Sequence, residues 1–395
     1  MRITDVKTVM VAVPFATFGR FEPVTMWYGT RYASIHCVTF IETDEGITGV
    51  STQGDQHLIM NRIRPKLIGQ DPFEIERIEN EVLGHPFGGR WRLYDTDTMA
   101  AIDCALWDIV GKACGQPLYR LWGGKVNDPI YVRYWMCTKS PEEMASEALK
   151  AVERGWRAFK IKLGTDPKTD LERVKAIREA VGDDIQLCID LNGAYPMSVA
   201  IRVLKKMARY DPAYVEEPIP GTWPYDPGCL EDMADIRRIT GIPIEAHCHG
   251  PNCEEYVLKL IERRAADALK LNVQWVGSAL ECRRLCAIAE AGGLIVTGQS
   301  TCAELGPRNA FMLHLISSER AFKGTHDSST HHLEPPSGDI IKEEFRTVEG
   351  ALRPPDGPGL GVEIDGGKLE YYHKLYESGR YKHQRGLGRR GLEFW

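Results

Sequence analysis

The chain has 395 residues, of which 43% are hydrophobic and 26% charged, which is ordinary for a globular protein with a large buried core. Its net charge of −6 argues against a nucleic-acid-binding protein, and no apolar run is long enough to span a membrane. The N-terminus lacks the pattern of a signal peptide, and the eleven cysteines form no CxxC pair, so we expect free thiols in a cytoplasmic protein.

Residues 1–125 are predicted to form an α+β capping domain. Strand-forming runs occur at 6–13 and 35–50, and the second run turns back on itself at 44–46 as a hairpin. Residues 97–112 then place their apolar side chains on one stripe, as an amphipathic helix does. Strands followed by helices are typical of an α+β arrangement.

Residues 126–340 are predicted to form a parallel barrel, because seven apolar, strand-like runs alternate with helical segments. Right-handed strand–helix repeats build a parallel sheet, and seven of them favour a closed barrel over an open, doubly wound sheet. No GxGxxG motif follows an early strand, so nothing supports a dinucleotide site. The predicted strands lie at 130–135, 158–163, 185–191, 213–216, 242–246, 268–273 and 294–296.

The last part of the chain, residues 341–395, is expected to return to the cap. It is rich in loops, and its end from Arg380 onward is basic and aromatic. That tail could cover a neighbouring surface or could be a partly ordered end.

Polar side chains end three successive predicted strands of the barrel. Lys160 and Lys162 end one strand, Asp190 and Asn192 the next, and Glu216 the third. Catalytic groups of parallel barrels lie at these carboxyl ends, so we expect the five side chains at one rim. Two neighbouring ammonium groups repel, which is expected to lower the pKa of at least one lysine, although this pair alone could also be two surface lysines.

Carboxylates gathered at one rim predict a cation between them, Mg²⁺ or Mn²⁺ for an oxygen-ligand set.

This pattern resembles the enolase superfamily, in its mandelate racemase and muconate-lactonising branch. The resemblance covers nearly the whole chain and implies a modified TIM barrel, (β/α)₇β, with an α+β N-terminal capping domain. It also implies an essential Mg²⁺ and abstraction of the proton α to a carboxylate, with the metal stabilising the enediolate charge. The matching segments are Lys160–Lys162, Asp190–Asn192, Glu216–Pro218, Thr43–Gly46, Ala105–Ile109, Leu121–Gly124 and Pro358–Gly361.

Four residues take roles directly from the resemblance. Asp190 and Glu216 match the first two metal ligands, and Lys162 matches the acid/base lysine. Lys160 then touches the substrate carboxylate or tunes the pKa of Lys162. Asn192 is a candidate for substrate binding.

The third metal ligand departs from the family pattern. The segment 243–250 reads Pro-Ile-Glu-Ala-His-Cys-His-Gly, so Glu245 or His247 could complete the site. Glu245 is favoured for Mg²⁺, because imidazole suits softer metals. A zinc site using His247, Cys248, His249 and Cys253 is the alternative, although its spacing matches no standard set.

The His–Asp dyad of some family members is absent. Asn272 stands in the aspartate position and Gln299 or Gly298 in the histidine position, so both Asn272 and Gln299 are candidates for binding substrate. Lys270 shares the face of Asn272 and is a candidate second acid/base group. Glu334 resembles the eighth-strand glutamate that binds the substrate carboxylate.

Three further histidines are alternative bases. His326, His331 and His332 are expected in a loop before the eighth strand, where one of them could replace the missing base. In the cap, Trp27, Tyr28 and Arg31 correspond to the family's mobile loop, which reads the distal part of the substrate. These three side chains could equally serve simple cap packing.

The expected function is therefore a Mg²⁺-dependent lyase or isomerase that acts on a small-molecule carboxylate substrate. Dehydration of a hydroxy or sugar acid is the favoured reaction, and racemisation, epimerisation or cycloisomerisation is the alternative. A catalytically eroded binding protein would be consistent with the missing dyad and the irregular third ligand. A zinc hydrolase on the same barrel, with His247 or His249 as a ligand, is a further alternative. By analogy the protein is expected to form a homo-oligomer, with neither nucleic acid nor membrane as a partner.

Overall fold

The computed structural model describes residues 1–84, 95–221, 228–250, 252–299 and 304–381. Its first part contains a three-stranded antiparallel sheet in the order β1-β6-β7 and two small hairpins. The strands are β1 (Ile3–Pro14), β2 (Ala16–Thr17), β3 (Arg20–Phe21), β4 (Val24–Met26), β5 (Gly29–Arg31), β6 (Ala33–Thr43) and β7 (Thr48–Thr52). The predicted hairpin is confirmed as β6–β7.

The helical part of the cap packs on this sheet. Helix α4 begins after Asp95, whose carboxylate accepts from the Thr98 backbone N–H and caps the helix. The predicted stripe is buried between the helix and the sheet, where Ile102, Leu106 and Ile109 are fully enclosed. The helices are α1 (Gln56–Leu58), α2 (Arg64–Leu67), α3 (Ile75–Arg77), α4 (Thr96–Ala113) and α5 (Leu118–Leu121), with π-helical turns at Ile59–Ile63 and Ile78–Val82.

Eight parallel strands form the predicted barrel. They follow the order β14-β13-β12-β11-β10-β9-β8-β15, and a parallel bridge between Gln299 and Asp327 joins the two ends of that order. The strands are β8 (Ile130–Met136), β9 (Ala158–Lys162), β10 (Gln186–Asp190), β11 (Tyr214–Glu216), β12 (Ile244–His247), β13 (Ala268–Leu271), β14 (Ile295–Gly298) and β15 (His326–Ser328). The predicted α/β barrel with an N-terminal cap is therefore confirmed.

Helices surround these strands. Apolar side chains of the helices and strands form one core, which explains the alternation of apolar runs in the sequence. The helices are α6 (Pro141–Glu153), α7 (Pro167–Val181), α8 (Met197–Met207), α9 (Cys229–Thr240), α10 (Cys253–Arg263), α11 (Val273–Val276), α12 (Ala279–Ala291) and α13 (Gly306–Ser318), with 3₁₀ turns at Ala208–Tyr210 and Thr330–Leu333.

The eighth strand lies earlier than predicted. His326 belongs to β15 itself, so the expectation of a loop at that position is wrong. His331 and His332 follow the strand in a 3₁₀ turn, and Glu334 comes after that turn. The strand is only three residues long and polar, so it lacks the apolar run by which the other strands are recognised.

The C-terminal segment contacts both parts of the molecule. Strand β16 (Ala351–Leu352) pairs antiparallel with β8, and helix α14 (Gly366–Glu377) packs against β1, where His373 Nδ1 donates to the Met10 carbonyl at 2.8 Å. Most of the predicted basic tail, residues 382–395, lies outside the described residues. Among the described residues, every helix is too short or too polar to cross a lipid bilayer, and the ten cysteines are free thiols.

Candidate active site

The three polar strand ends meet as predicted from their spacing. In the strand register Lys162 of β9 pairs with Asp190 of β10, and Asp190 pairs with Glu216 of β11. All three side chains are buried. Since the strands are parallel and in phase, neighbouring carboxyl ends place these groups side by side.

Lys162 is held between two oxygen atoms. Its ammonium group donates to Asp190 Oδ2 at 2.7 Å and to Asn192 Oδ1 at 2.9 Å, and it lies 5.3 Å from the centre of the Trp135 ring. An ammonium group with two acceptors and an aromatic face has a fixed position. Lys162 is thus aimed at one place in the barrel opening.

Glu217 follows β11 directly and Asn192 lies two residues after the end of β10. Both have left-handed backbone, with φ of 43° at each residue. This conformation is costly for residues other than glycine and is found at functional sites. Asn192 Nδ2 donates to Glu217 Oε2 at 3.0 Å, while the Asn192 backbone N–H donates to Asp190 Oδ1 at 2.9 Å. Asn192 therefore positions Lys162, Asp190 and Glu217 together.

Lys160 lies deeper and contacts three carboxylates. Its ammonium group is 2.7 Å from Glu216 Oε2, 2.7 Å from Asp327 Oδ2 and 2.9 Å from Asp190 Oδ2. Burial alone would lower the pKa of Lys160, but the charges of Asp190, Asp327 and Glu216 raise it well above its usual value. The pKa lowering expected for the lysine pair therefore does not occur at Lys160.

Four side chains below this level form what we call the floor of the lumen: Arg133, Glu245, Thr297 and Asp327. The Arg133 guanidinium contacts both Glu245 oxygens at 3.0 Å and Asp327 Oδ1 at 3.2 Å. Thr297 Oγ1 donates to Glu245 Oε1 at 2.7 Å. Although burial opposes it, Arg133 and Lys270 lower the pKa of Glu245 to about 2. The predicted ligand Glu245 is thus directed to the floor, because tilted barrel strands put register neighbours at different depths.

Lys270 joins the floor to the upper groups. It is fully buried, and its ammonium group contacts Glu216 and Asp327 and lies 2.8 Å from Glu245 Oε2. Three carboxylates around one ammonium group make it a buried counter-ion.

The upper groups, which we call the mouth, are Lys162, Asp190, Glu216, Glu217, His247 and His249. Glu216 Oε1 and His247 Nε2 are buried there without a hydrogen-bond partner among the described residues. His247 Nδ1 lies 3.6 Å from Glu216 Oε1. Buried polar atoms normally have partners, so orphaned ones indicate a place for a bound group.

The pKa values of the two neighbouring carboxyls at the mouth move in opposite directions. Burial and the charge of Asp190 raise the pKa of Glu216 to about 8. Although burial opposes it, Lys160 and Lys162 hold the pKa of Asp190 well below its usual range. Burial also lowers the pKa of His247 far below its usual value, so that imidazole is neutral and able to act as a ligand.

Two sets of three residues at the mouth could hold a metal ion. One is Asp190, Glu216 and Glu217, and the other is Glu217, His247 and His249; within each set, one ligand atom from each residue lies within 4.8 Å of the others. The first set offers only oxygen atoms, which suits Mg²⁺. Its residues fit such an ion, since Glu216 Oε1 is buried and has no hydrogen-bond partner in the part of the chain that the structure describes.

The predicted substrate-binding residues have different surroundings. Asn272 is fully buried, caps α11 through the Gln274 N–H at 2.8 Å and donates to Glu304 at 3.4 Å. Gln299 lies at the end of β14 with its Oε1 buried and unpartnered among the described residues. Glu334 makes its ion pair elsewhere, with Arg154 at the C-terminal end of α6.

The three candidate histidine bases are fixed in the wall of the barrel. His326 Nδ1 accepts from the Gly298 backbone N–H at 2.9 Å, and burial lowers its pKa to about 3. His331 stacks on Tyr134 with ring centres 4.0 Å apart, and His332 contacts Thr17 at 3.2 Å. These are structural hydrogen bonds and ring contacts of neutral imidazoles.

Sequence reasoning missed three charged residues of the lumen: Arg133, Glu217 and Asp327. Side chains alternate along a strand, and Arg133 stands between Val132 and Tyr134 in β8. That alternation could have indicated Arg133. Asp327 follows Thr297 by 30 residues, about one strand–helix repeat, and this spacing could have indicated it despite the short strand.

Comparisons with known proteins agree with this geometry. The family described as "Enolase C-terminal domain-like" matches residues 143–368, and the "Mandelate racemase / muconate lactonizing enzyme, N-terminal domain" matches residues 6–123. The chain is 27% identical to an N-succinyl-L-Arg/Lys racemase of Bacillus cereus, over 94% of this chain and 97% of the racemase. It is 28% identical to a cis-3-hydroxy-L-proline dehydratase of Roseibium aggregatum, over 92% of this chain and 96% of the dehydratase.

Solved structures of related enzymes superpose on this chain over most of its length. The structure of the B. cereus racemase superposes with a TM-score of 0.82 at 26% identity, over 94% of this chain and 98% of that one. A dipeptide epimerase of Enterococcus faecalis, solved with Mg and L-Leu-L-Tyr, superposes with a TM-score of 0.78 at 25% identity, over 92% and 100% of the two chains. The chain belongs to the enolase superfamily of enzymes, in the mandelate racemase and muconate lactonizing group.

Proposed function

We propose that this enzyme removes the α-proton of a small carboxylate substrate with Lys162 as the base and a divalent ion, Mg²⁺, at the mouth. The observation that carries the proposal is the convergence of Lys162 with Asp190, Glu216 and Glu217 at one opening of the barrel. Asp190, Glu216 and Glu217 would hold the ion. When bound, the ion supplies positive charge that stabilises the enediolate form of the substrate.

The charge balance of the lumen supports a divalent ion. Counting the carboxylates of floor and mouth gives five, and counting the lysines and the arginine gives four. A lysine that acts as a base is neutral, and Glu216 must be ionised when it holds the ion, although its pKa of about 8 keeps it protonated without the ion. In that metal-bound state three cations face five anions, and the net charge is −2. The carboxylates are Asp190, Glu216, Glu217, Glu245 and Asp327, and the cations are Arg133, Lys160, Lys162 and Lys270.

Dehydration of a hydroxy or sugar acid is the favoured reaction. Lys162 is the one lysine of this group that is not surrounded by several carboxylates, so the site offers one base. Lys160 and Lys270 each contact three carboxylates and are taken up as counter-ions. In the proposed step the α C–H bond breaks, its proton moves to Lys162 Nζ and its electron pair enters the substrate carboxylate. The electron pair then returns to form the Cα=Cβ double bond as the β C–O bond breaks, and the leaving hydroxide takes the proton from Lys162 and departs as water.

Relatives support this class of substrate. An arabinonate dehydratase of Saccharolobus solfataricus is 26% identical, over 85% of this chain and 89% of the dehydratase. Racemisation or epimerisation is the second candidate, favoured by the racemase relative. It would need a proton donor on the opposite face, for which Lys270 was the candidate, and the three carboxylates around Lys270 argue against that role.

A screen of acid sugars in D₂O with Mg²⁺ tests the proposal. Dehydration releases water and lowers the product mass, whereas epimerisation incorporates α-deuterium without mass loss. We expect Lys162→Ala to reduce turnover by about 10²–10⁴-fold, as removal of a general base does, while Mg²⁺ still binds. Lys168→Ala, on an exposed lysine of α7, is the matched control. Full activity in Lys162→Ala would end the assignment.

A further inference from the structure

We infer that His247, His249 and Glu217 form a binding site for a divalent transition-metal ion of the Zn²⁺ class. This inference deepens the proposed function, on which it rests for the presence of a divalent ion at the mouth. It assigns a second donor set, with imidazole nitrogens, beside the all-oxygen set of Asp190, Glu216 and Glu217.

The donor atoms of the three residues lie close to one another. His249 Nε2 lies 3.0 Å from Glu217 Oε1, and one ligand atom from each of Glu217, His247 and His249 lies within 4.8 Å of the others. Ligand atoms on a tetrahedral zinc ion, with bonds of about 2.0–2.1 Å, are roughly 3.3 Å apart. The separation between His249 and Glu217 is slightly shorter than that value, and the other separations in the set are at most 4.8 Å. An ion could therefore be accommodated by small side-chain movements.

His247 provides an independent indication of a ligand. Its side chain is 4% exposed, and its buried Nε2 has no hydrogen-bond partner among the described residues. Burying an imidazole nitrogen without a partner is unfavourable unless another group satisfies it. A metal ion is such a group, and neutral imidazole is a common metal ligand.

The backbone around the two histidines is fixed before any ion binds. The Cys248 N–H donates to the Lys270 carbonyl at 3.1 Å, and the Gly250 N–H donates to the Trp275 carbonyl at 3.0 Å. The Trp275 indole packs edge-on against His249, with ring centres 5.0 Å apart, and the two imidazole centres are 3.8 Å apart. The donor atoms are thus held near one another, which favours metal binding.

The donor chemistry selects the ion. Imidazole suits Zn²⁺, Co²⁺ and related ions, whereas Mg²⁺ prefers oxygen ligands and retains several waters. Because Glu217 belongs to both donor sets, a Zn²⁺-class ion would share or take over one ligand of the Mg²⁺ set. The two ions are therefore expected to influence each other's binding.

Cobalt spectroscopy on the full chain tests the site without depending on activity. Protein stripped with a chelator is titrated with Co²⁺ alone, and the visible d–d absorption is recorded before and after addition of Zn²⁺. We expect one equivalent of Co²⁺ to develop the bands and Zn²⁺ to abolish them. His249→Gln and His247→Asn should each weaken Co²⁺ binding by more than about a hundredfold, since even outer-sphere partners of metal ligands contribute 10–100-fold.

His57→Gln, on an exposed histidine in the cap, is the matched control and should bind Co²⁺ like the wild type. Thermal unfolding of each variant in chelator shows whether it remains folded, and His249 is the safer substitution because it lies nearer the surface. Unchanged Co²⁺ bands in both folded variants, or no bands in the wild type, would overturn the inference. Dehydration with Mg²⁺, seen as loss of product mass, in a protein that gives no Co²⁺ bands would contradict this site alone. Co²⁺ bands without turnover would contradict the proposed function alone.

Discussion

The floor and the mouth of the barrel are both buried and both charged, yet they differ in how their polar atoms are satisfied. At the floor, both Glu245 oxygens accept from Arg133, and Thr297 completes the shell. At the mouth, Glu216 Oε1 and His247 Nε2 have no hydrogen-bond partner among the described residues. A fully satisfied charge network rigidifies a fold, whereas unsatisfied buried atoms indicate a place where another group binds. The comparison thus separates the charges that hold the barrel together from those that are available for chemistry.

The strongest way to break this comparison is to remove the central cation of the floor. Arg133→Met leaves Glu245 and Asp327 without the guanidinium they share, although Lys270 remains in contact with both. Breaking a buried ion pair from one side costs about 3–5 kcal/mol, so we expect the free energy of unfolding to fall by that amount. Denaturant unfolding measures it.

Arg238→Met is the control for that substitution, because Arg238 pairs with Asp235 at the surface. We expect it to leave the free energy of unfolding unchanged, since exposed ion pairs contribute little. If Arg133→Met were as stable as the wild type, the floor would not be the structural part of the lumen.

A smaller change at the floor sharpens the same point. Thr297→Val keeps the side-chain shape but removes the 2.7 Å hydrogen bond to Glu245. Hydrogen bonds to charged groups contribute about 1.5–3 kcal/mol, and we expect a loss of that size in the free energy of unfolding.

Thr52→Val is a matched control for Thr297→Val. Thr52 is equally buried, but its Oγ1 has no hydrogen-bond partner among the described residues. Replacing it with valine should be neutral or stabilising. Equal losses in the two variants would mean that the bond to Glu245 contributes nothing.

The smallest expected effect concerns pH. Burial lowers the pKa of His326 to about 3, and Asp327 opposes this shift only in part. The His326 ring also accepts a hydrogen bond from the Gly298 N–H, and protonation of the ring would break that bond. Between about pH 6.5 and 3 the unfolded chain binds a proton that the folded chain does not, so stability falls as pH falls through this range. His326→Asn keeps an acceptor but cannot titrate, and the slope of stability against pH should become shallower by about 1.4 kcal/mol per pH unit.

Unfolding free energies at several pH values between 6.5 and 4 measure this slope. The exposed His57 provides the control, since His57→Asn should leave the slope as it is in the wild type. A His326→Asn variant with the wild-type slope would show that His326 titrates normally in the folded protein.

The residues of the mouth that could be predicted are those marked by strand spacing. Lys162, Asp190 and Glu216 follow one another at about one strand–helix repeat, and each ends an apolar run. Their spacing was therefore sufficient to predict that they share one rim. The same rule located the first seven strands of the barrel, because apolar β-rich runs are the strongest local indication of a buried strand.

What escaped prediction depends on three-dimensional geometry. Glu245 is the register neighbour of Glu216, yet strand tilt carries it to the floor, and one sequence contains no measure of that depth. The left-handed backbone of Asn192 and Glu217 is equally invisible, since neither residue is glycine. Asp327 was missed because β15 is short and polar, and that error moved the expected eighth strand to Glu334.

Calorimetric titration with Mg²⁺ tests most directly whether the ion belongs to the mouth and not to the floor. Glu216→Gln removes a charged oxygen ligand at the mouth, whereas Thr297→Val disturbs only the floor. We predict that Glu216→Gln loses most of its Mg²⁺ affinity and that Thr297→Val binds Mg²⁺ like the wild type. Wild-type affinity in Glu216→Gln, with binding lost in Thr297→Val, would contradict the separation of the two levels.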